Sequence, residues 1–331
     1  MSTGGWIIGV DLGGTTISVG AVSTDGSRQH GLRTVATLSA EGADAVVGRI
    51  ATQVLGVVDD LQRDLGVARR EVHGVGIGSP GPLDRARGVV ITTPNLGWTE
   101  FPIRTRVAEA TGLDASLDND ANCATLGEWW LGAARGGRHV IGITLGTGIG
   151  GGIIVDGRMF HGASDVAAEI GHMTVDLTGR RCGCGNEGCL EAYASGPGIA
   201  ARARESLEAS GAASSMRDAV GGDLKKLTAQ VVYASAGEGD HEAREIVRET
   251  AEYLGVGVAN LLNIFNPDVV VLAGGVAQAG DLLFEPLRAV VRRRAFKPAV
   301  DACRIVPGVL GAAAGVVGAA ATFREQRGLT A

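Results

Sequence analysis

A chain of 331 residues, 45% of them hydrophobic, is too long for one ordinary core and predicts two domains. A formal net charge of −6, with no Lys/Arg cluster beyond Arg292-Arg293-Arg294, argues against a nucleic-acid surface. The 53 glycines lie between Val/Ile/Leu runs, so they read as turns rather than disorder.

Met1 to Gly5 carry neither a basic region nor an apolar core, so no signal peptide is expected. The first strand, Trp6 to Val10, ends in Asp11-Leu12-Gly13-Gly14-Thr15. A second, Ile17 to Val22, runs into the hairpin pair Asp25-Gly26. An acid and two glycines thus occupy a turn between strands. Glycines let backbone N–H groups approach an anion, and the acid can hold the Mg²⁺ that accompanies a phosphate. An amphipathic helix is predicted over Glu41 to Leu65, a strand over Val72 to Gly78, and a turn over Ser79 to Asp84. A strand over Val89 to Thr92 and a short helix over Phe101 to Thr111, stopped by Gly112, follow. A short strand, Ala115 to Leu117, leads to Asn119-Asp120, which opens a helix running to about Ala134.

The first pattern recurs after His139. An apolar run to Ile143 is followed by Thr144 to Gly152, including Gly146-Thr147-Gly148, then by Ile153 to Val155 and Asp156-Gly157. Two such units in one order predict a duplicated α/β unit with a phosphate loop in each half and a nucleotide held by both. Glycine hairpins with no ligand are the bland alternative. Ser210 to Asp223 reads as a surface excursion, and Glu242 to Asn263 as a long helix. Asp268 to Ala273 is an apolar strand ending in a third glycine turn, Gly274-Gly275, which either seats an adenine or ribose or merely joins strand to helix. Arg304 to Val309 reads as a strand. The uncharged stretch Ile305 to Phe323 is mostly Ala and Gly, so its later part predicts a small-residue helix packed closely into a core rather than a membrane span.

Five cysteines, three of them in Cys182-Gly-Cys184-Gly-Asn-Glu-Gly-Cys189, do not form a disulfide framework and imply a reducing compartment. Three thiols so close can wrap one ion, and His172 could supply a fourth ligand, in a closed shell that would be structural rather than catalytic; three reduced free thiols, or a disulfide pair with a spare thiol, are the alternatives. Cys123 and Cys303 read as buried apolar residues. Asn119, Asp120 and Asn122 crowd one strand-to-helix junction, beyond what capping needs. Glu169, His172 and Glu191 surround the cysteine motif, and Asn95 sits in a loop. Such side chains pair with vicinal hydroxyls, which both donate and accept, so a sugar site is predicted.

Asp11-x-Gly-Gly-Thr15, Asn119-Asp120-x-Asn122, Glu169-x-Gly-His172 and the cysteine motif through Glu191 resemble, in order and rough spacing, the ROK family of bacterial sugar kinases and sugar-responsive repressors. The resemblance spans residues 6 to about 322 and rests most on the cysteine motif with its upstream Glu-x-Gly-His. It implies an actin-like ATPase (ribonuclease H-like) fold, two α/β domains flanking a cleft. The expected division is a small domain of 1–118 plus about 311–331 and a large domain of 119–310 carrying the zinc motif.

By the same resemblance Asp120 is the catalytic base, and Asn119, Glu169, His172 and Glu191, with Asn95, hold sugar hydroxyls. His172, Cys182, Cys184 and Cys189 bind a structural Zn²⁺. Asp11, Gly13, Gly14 and Thr15, with Gly146, Thr147 and Gly148, line the phosphates and Mg²⁺, and Gly274 and Gly275 approach the adenosine of ATP. The implied reaction is ATP-dependent phosphorylation of glucose at its 6-hydroxyl. Mannose, N-acetylmannosamine or another hexose is the alternative substrate, and polyphosphate the alternative donor. A cytoplasmic homodimer or homotetramer with no nucleic-acid or membrane partner is expected. A repressor would need a DNA-binding domain before Asp11, where this sequence leaves no room, and a silent sensor is disfavoured by the intact Asp120 and phosphate turn. The chain departs from the family pattern at Asp165 and Ala168, where many members have glycines. A Cβ at Ala168 is expected to restrict the backbone that aims Glu169.

Overall fold

The computed structural model describes residues 4–93 and 95–329; Met1 to Thr3, part of the stretch read for a signal peptide, lie outside them. The first sheet starts with a hairpin. β1 (Trp6–Leu12) pairs antiparallel with β2 (Thr16–Ser23), and β3 (Gln29–Ala36) adds antiparallel to β2. After helix α1 (Ala43–Leu65) the chain returns as β4 (Val72–Ser79), parallel to β1. A three-stranded sheet of β5 (Leu83–Asp84), β6 (Val89–Thr93) and β7 (Trp98–Phe101) follows, then α2 (Ile103–Thr111), β8 (Ala115–Asn119) and α3 (Asp120–Trp130). β8 closes the first sheet in the order β3-β2-β1-β4-β8.

The second half repeats the hairpin with β9 (Val140–Leu145), β10 (Ile149–Val155) and β11 (Arg158–Met159). Helices α4 (Glu191–Ala194), α5 (Gly196–Ser210), α6 (Ser215–Ala219), α7 (Ala229–Glu238) and α8 (His241–Phe265) precede β12 (Val269–Ala273). Then come α9 (Asp281–Arg294), α10 (Lys297–Ala302), β13 (Arg304–Pro307) and α11 (Ala314–Gln326). The second sheet runs β11-β10-β9-β12-β13, with β12 parallel to both β9 and β13. The two orders match position for position, as expected of a duplicated α/β unit, and the architecture is the actin-like ATPase fold of two α/β domains.

Two helices cover the first sheet by opposite means. α1 buries Val46, Ile50, Val54, Val57 and Leu61, a helical stripe of branched residues worth roughly 1.5–3 kcal/mol each. α11 instead lies directly on backbone. A Cβ at Gly9 would fall 1.9 Å from the Val316 carbonyl oxygen, and one at Gly76 1.8 Å from that of Ala319. The Ala/Gly-rich stretch is therefore a core helix; among the described residues no helix is long and apolar enough to cross a membrane.

Contacts divide the chain into two units. One comprises the chain through Gly137, Gly152–Ala168 and the chain from Val309; the other is Arg138–Gly151 with Glu169–Gly308. α3 thus belongs with the first sheet, whereas the expected division fell at 118/119. The reason is its contact with α11, where a Cβ at Gly318 would meet the Cys123 carbonyl oxygen at 1.5 Å.

Other expectations shift locally. Phe101 ends a strand rather than starting a helix, because Pro102 disfavours helical backbone before it. The Ser79–Asp84 turn contains β5 and a cis Gly81–Pro82 bond. α3 stops at Trp130, short of Ala134, where the buried Glu128 carboxylate accepts the N–H groups of Ala133 (2.9 Å), Val309 (3.2 Å) and Leu310 (2.9 Å). The supposed surface excursion holds α6, which buries Met216 completely.

Candidate active site

In the first unit, β1 delivers Asp11 at the mouth of its turn. Gly13 N–H closes that turn on the Thr16 carbonyl (2.8 Å), and the Thr37 hydroxyl donates to the Gly13 carbonyl (2.7 Å). Neither Gly13 nor Gly14 has a left-handed backbone; Gly14 is small because Asn95 packs on it, 3.1 Å from where a Cβ would stand. Asn95 and Thr15 are exposed beside the turn.

β8 carries the second group. Asn119 is the N-cap of α3, its Oδ1 accepting from Ala121 N (2.9 Å) and Asn122 N (3.1 Å), so only its amide N–H groups can serve a ligand. Asp120 is the first residue of α3 and also accepts from Ala121 N (2.8 Å). Burial, and after it the charge of Asp120, push the half-buried Asp11 carboxyl up to about 7. A hard divalent cation on Asp11 would offset the dehydration and screen the Asp120 charge, so this carboxylate fits Mg²⁺.

Sequence reasoning passed over the residues behind Asp120. Asp118 is buried, and its carboxylate meets the Asn122 amide (3.1 Å), His161 Nε2 (2.9 Å) and Arg85 Nε (3.2 Å). Asn122 is therefore a strut rather than a ligand-facing group. Asp118 was legible as an acid ending an apolar strand beside Asn119; Arg85 and His161 stand in loops remote in sequence and carry no local signal.

In the second unit, the Gly146-Thr147-Gly148 turn joins β9 to β10 and is held by Gly196, whose N–H donates to the Gly146 carbonyl (2.9 Å). Glu191, the first residue of α4, accepts the Ile149 N–H at Oε2 (2.8 Å). A Cβ at Gly148 would lie 2.7 Å from that oxygen, so glycine here lets a carboxylate reach the turn. Gly274 adopts φ +93 and faces the Leu145 backbone, with a Cβ due 2.5 Å from its carbonyl oxygen; Gly275 opens on free space. Gly146, Thr147, Gly196, Gly275, Gln278 and Tyr233 help line a cavity of about 1010 Å³, room for a nucleoside.

Glu169 is exposed and precedes a single 3-10 turn, Ile170–His172. The glycine of Glu-x-Gly-His has a steric cause, since a Cβ at Gly171 would meet the Ile149 carbonyl oxygen at 2.2 Å. The ligand atoms of His172, Cys182, Cys184 and Cys189 lie within 4.8 Å of one another. Cys184 Sγ is 3.7 Å from Cys189 Sγ, and Cys182 Sγ 3.8 Å from His172 Nδ1. Ligands about 2.3 Å from a tetrahedral zinc stand ~3.8 Å apart, so the four fit a closed zinc shell. His172 turns Nδ1 to the cluster, which leaves Nε2 for another partner. Burial pushes the Cys182 thiol up to about 12 and raises Cys189, while the Asn186 backbone N–H lowers the exposed Cys184. Cys123 is fully buried, but Cys303 is partly exposed.

Residues 7–326 match the ROK family. The chain belongs to the ROK family. A glucokinase of Thermotoga maritima is 40% identical over 97% of this chain and 98% of its own length. A ROK family glucokinase from Streptomyces griseus, solved in complex with glucose and AMPPNP, superposes with a TM-score of 0.81 at 36% identity, covering 96% of this chain and 98% of that one. A xylose repressor of Caldicellulosiruptor bescii is 33% identical over 88% of this chain but 71% of its own length.

Proposed function

We propose that this ROK protein transfers the γ-phosphoryl group of ATP to the 6-hydroxyl of glucose. The observation that carries the reading is the meeting of Asp11 and Asp120 in one unit, one at a glycine turn and the other at the head of α3. The glucokinase relatives at 35–40% identity over nearly their full length support it. Phosphoryl transfer needs positioning and charge stabilisation more than covalent chemistry. Asp120 accepts the hydroxyl proton as the oxygen–phosphorus bond forms; the alcohol acidifies only then, so no unusually strong base is required.

Asp11, with the Gly13-Gly14-Thr15 backbone, would hold Mg²⁺, which neutralises phosphate charge when bound. Gly146 to Gly148 cradle the phosphates, and Gly274 and Gly275 border the adenosine cavity. In the first unit Asn95 and Asn119 are read as groups for sugar hydroxyls; in the second, Glu169, His172 through Nε2, and Glu191 are read the same way. Zinc on His172 Nδ1, Cys182, Cys184 and Cys189 would hold the loop that carries His172, because side chains on an untethered glycine-rich loop are too mobile to preorganise. The reading carries with it a cytoplasmic homodimer or homotetramer, to be checked by light scattering.

A coupled assay with Mg-ATP over a hexose panel tests the substrate. Glucose ranks first, with mannose lower by about tenfold in kcat/KM, or ~1.4 kcal/mol. Asp120→Asn lowers kcat ~10²-fold or more while glucose affinity stays. A winning N-acetylated sugar, or equal turnover with polyphosphate, would replace glucose or ATP. Binding of glucose without phosphorylation of any sugar would make the protein a sensor.

A further inference from the structure

The loop before Glu169 is strained at two places. Asp165 has φ +59 and Ala168 φ +68, left-handed backbone that favours glycine. For Ala168 the structure offers no compensation. For Asp165 it does. Its Oδ2 accepts the Arg85 backbone N–H (3.1 Å), and its Oδ1 lies 3.7 Å from the Arg85 guanidinium. The Nε of that guanidinium meets Asp118 at 3.2 Å, and Asp118 directly precedes Asn119 and Asp120. The loop is tied a second time by His161, whose Nε2 stands 2.9 Å from the same Asp118 oxygen, Oδ2. Arg85 is itself held, since Arg104 donates to its carbonyl (3.1 Å).

The geometry points to Asp165, acting through Arg85 and Asp118, as a positioning residue for sugar binding, anchoring the 161–168 loop to the strand end that carries the catalytic base. This rests on the kinase reading above. Glycine at 165 would relieve the backbone but cut the tie, in which the Arg85 guanidinium bridges the Asp165 and Asp118 carboxylates. A purely structural anchor would show in stability. A positioning anchor shows in sugar affinity.

The test compares Asp165→Gly, Asp165→Asn and Ala168→Gly in the full-length protein. Glucose affinity is read by calorimetry, kcat and both KM values by coupled assay, and Tm by thermal melting. Asp165→Gly should weaken glucose binding and raise its KM about tenfold, leave the ATP KM within twofold, and not lower Tm, because strain is relieved. Asp165→Asn keeps an acceptor for the Arg85 N–H but not the charge, and should fall between. Ala168→Gly relieves strain without cutting the tie and should raise Tm with glucose affinity within twofold. Unchanged glucose affinity in Asp165→Gly overturns the inference while leaving the kinase reading intact. So does an equal rise in the ATP KM, or an equal loss of affinity in Ala168→Gly. A parent protein that neither binds nor phosphorylates glucose overturns both.

Discussion

The two glycine turns occupy the same place in two sheets of the same order, yet they are built for different work. The first follows β1 with Asp11 at its mouth; the second follows β9 with Thr144 in that position. A hydroxyl and Asn95 brace the first turn, whereas Glu191, from the helix beside the cysteine cluster, braces the second. A shared topology thus carries two different braces. At the first turn a second carboxylate, Asp120, stands close enough for its charge to raise Asp11. The other turn has a threonine at its mouth and is braced by a carboxylate from the helix that follows the cysteine cluster.

Removing metal from that cluster should break the second region alone. The protein as purified should carry about one zinc per chain, and Cys184→Ala should lose that metal together with ~10²-fold or more of activity. Hydrogen exchange should show new opening around residues 169–195, with protection of β1 and β4 kept. Full activity in a metal-free preparation would end the structural-zinc assignment.

Equivalent substitutions sharpen the contrast. Gly148→Ala forces the Glu191 carboxylate off the turn and should cost ~1–3 kcal/mol of stability along with sugar affinity. Gly14→Ala meets only the Asn95 Cβ at 3.1 Å and should cost under about 1 kcal/mol. Chemical denaturation of the two variants side by side decides; equal losses would erase the distinction between the braces.

The acid that marks the first turn predicts a pH signature. The folded-state value of Asp11 is raised from 3.8 to about 7, so keeping it ionised costs stability. That cost is absent below 3.8, grows between 3.8 and about 7, and is complete above. In magnesium-free buffer, Asp11→Asn should therefore raise Tm most above pH 7, with the gain fading towards pH 4, while Mg-dependent activity is lost. The smallest effect belongs to the pair of Arg327, just after α11, and Asp114, just before β8 (2.5 and 2.9 Å). The guanidinium lowers the Asp114 carboxyl. Arg327→Ala should cost less than ~1 kcal/mol at neutral pH, and the difference should vanish as acid takes the pH through the lowered Asp114 value.

Much of this was legible along the chain because it depends on neighbours in sequence. The period of Ile50, Val54, Val57 and Leu61 makes α1 amphipathic wherever it packs, and Asp11-x-Gly-Gly and Cys182-x-Cys184 place their chemistry within a few residues. Asn119 beside Asp120 announced the head of α3 for the same reason. Phe101 was misassigned to the helix that follows it; an aromatic suits a strand, and Pro102 disfavours helical backbone before it. Helices α5, α6 and α7, and the strand β3, were passed over; α6 buries Met216 alone and β3 buries no residue fully, so neither has a marked apolar face.

What only the tertiary structure decided are the long-range meetings. Burial of Asp118 among Arg85, His161 and Asn122 draws on three separate stretches of chain, and no local pattern couples them. The allocation of α3 to the first unit follows from glycines that let α11 touch backbone, a contact set by shape rather than propensity. The sequence alone determined which groups are chemically capable: Asp11, Asp120, Glu191 and the four candidate zinc ligands. The fold determined their surroundings, and so which acid is pushed up to about 7 and which is tied down, because dehydration and charge act through space and not along the chain.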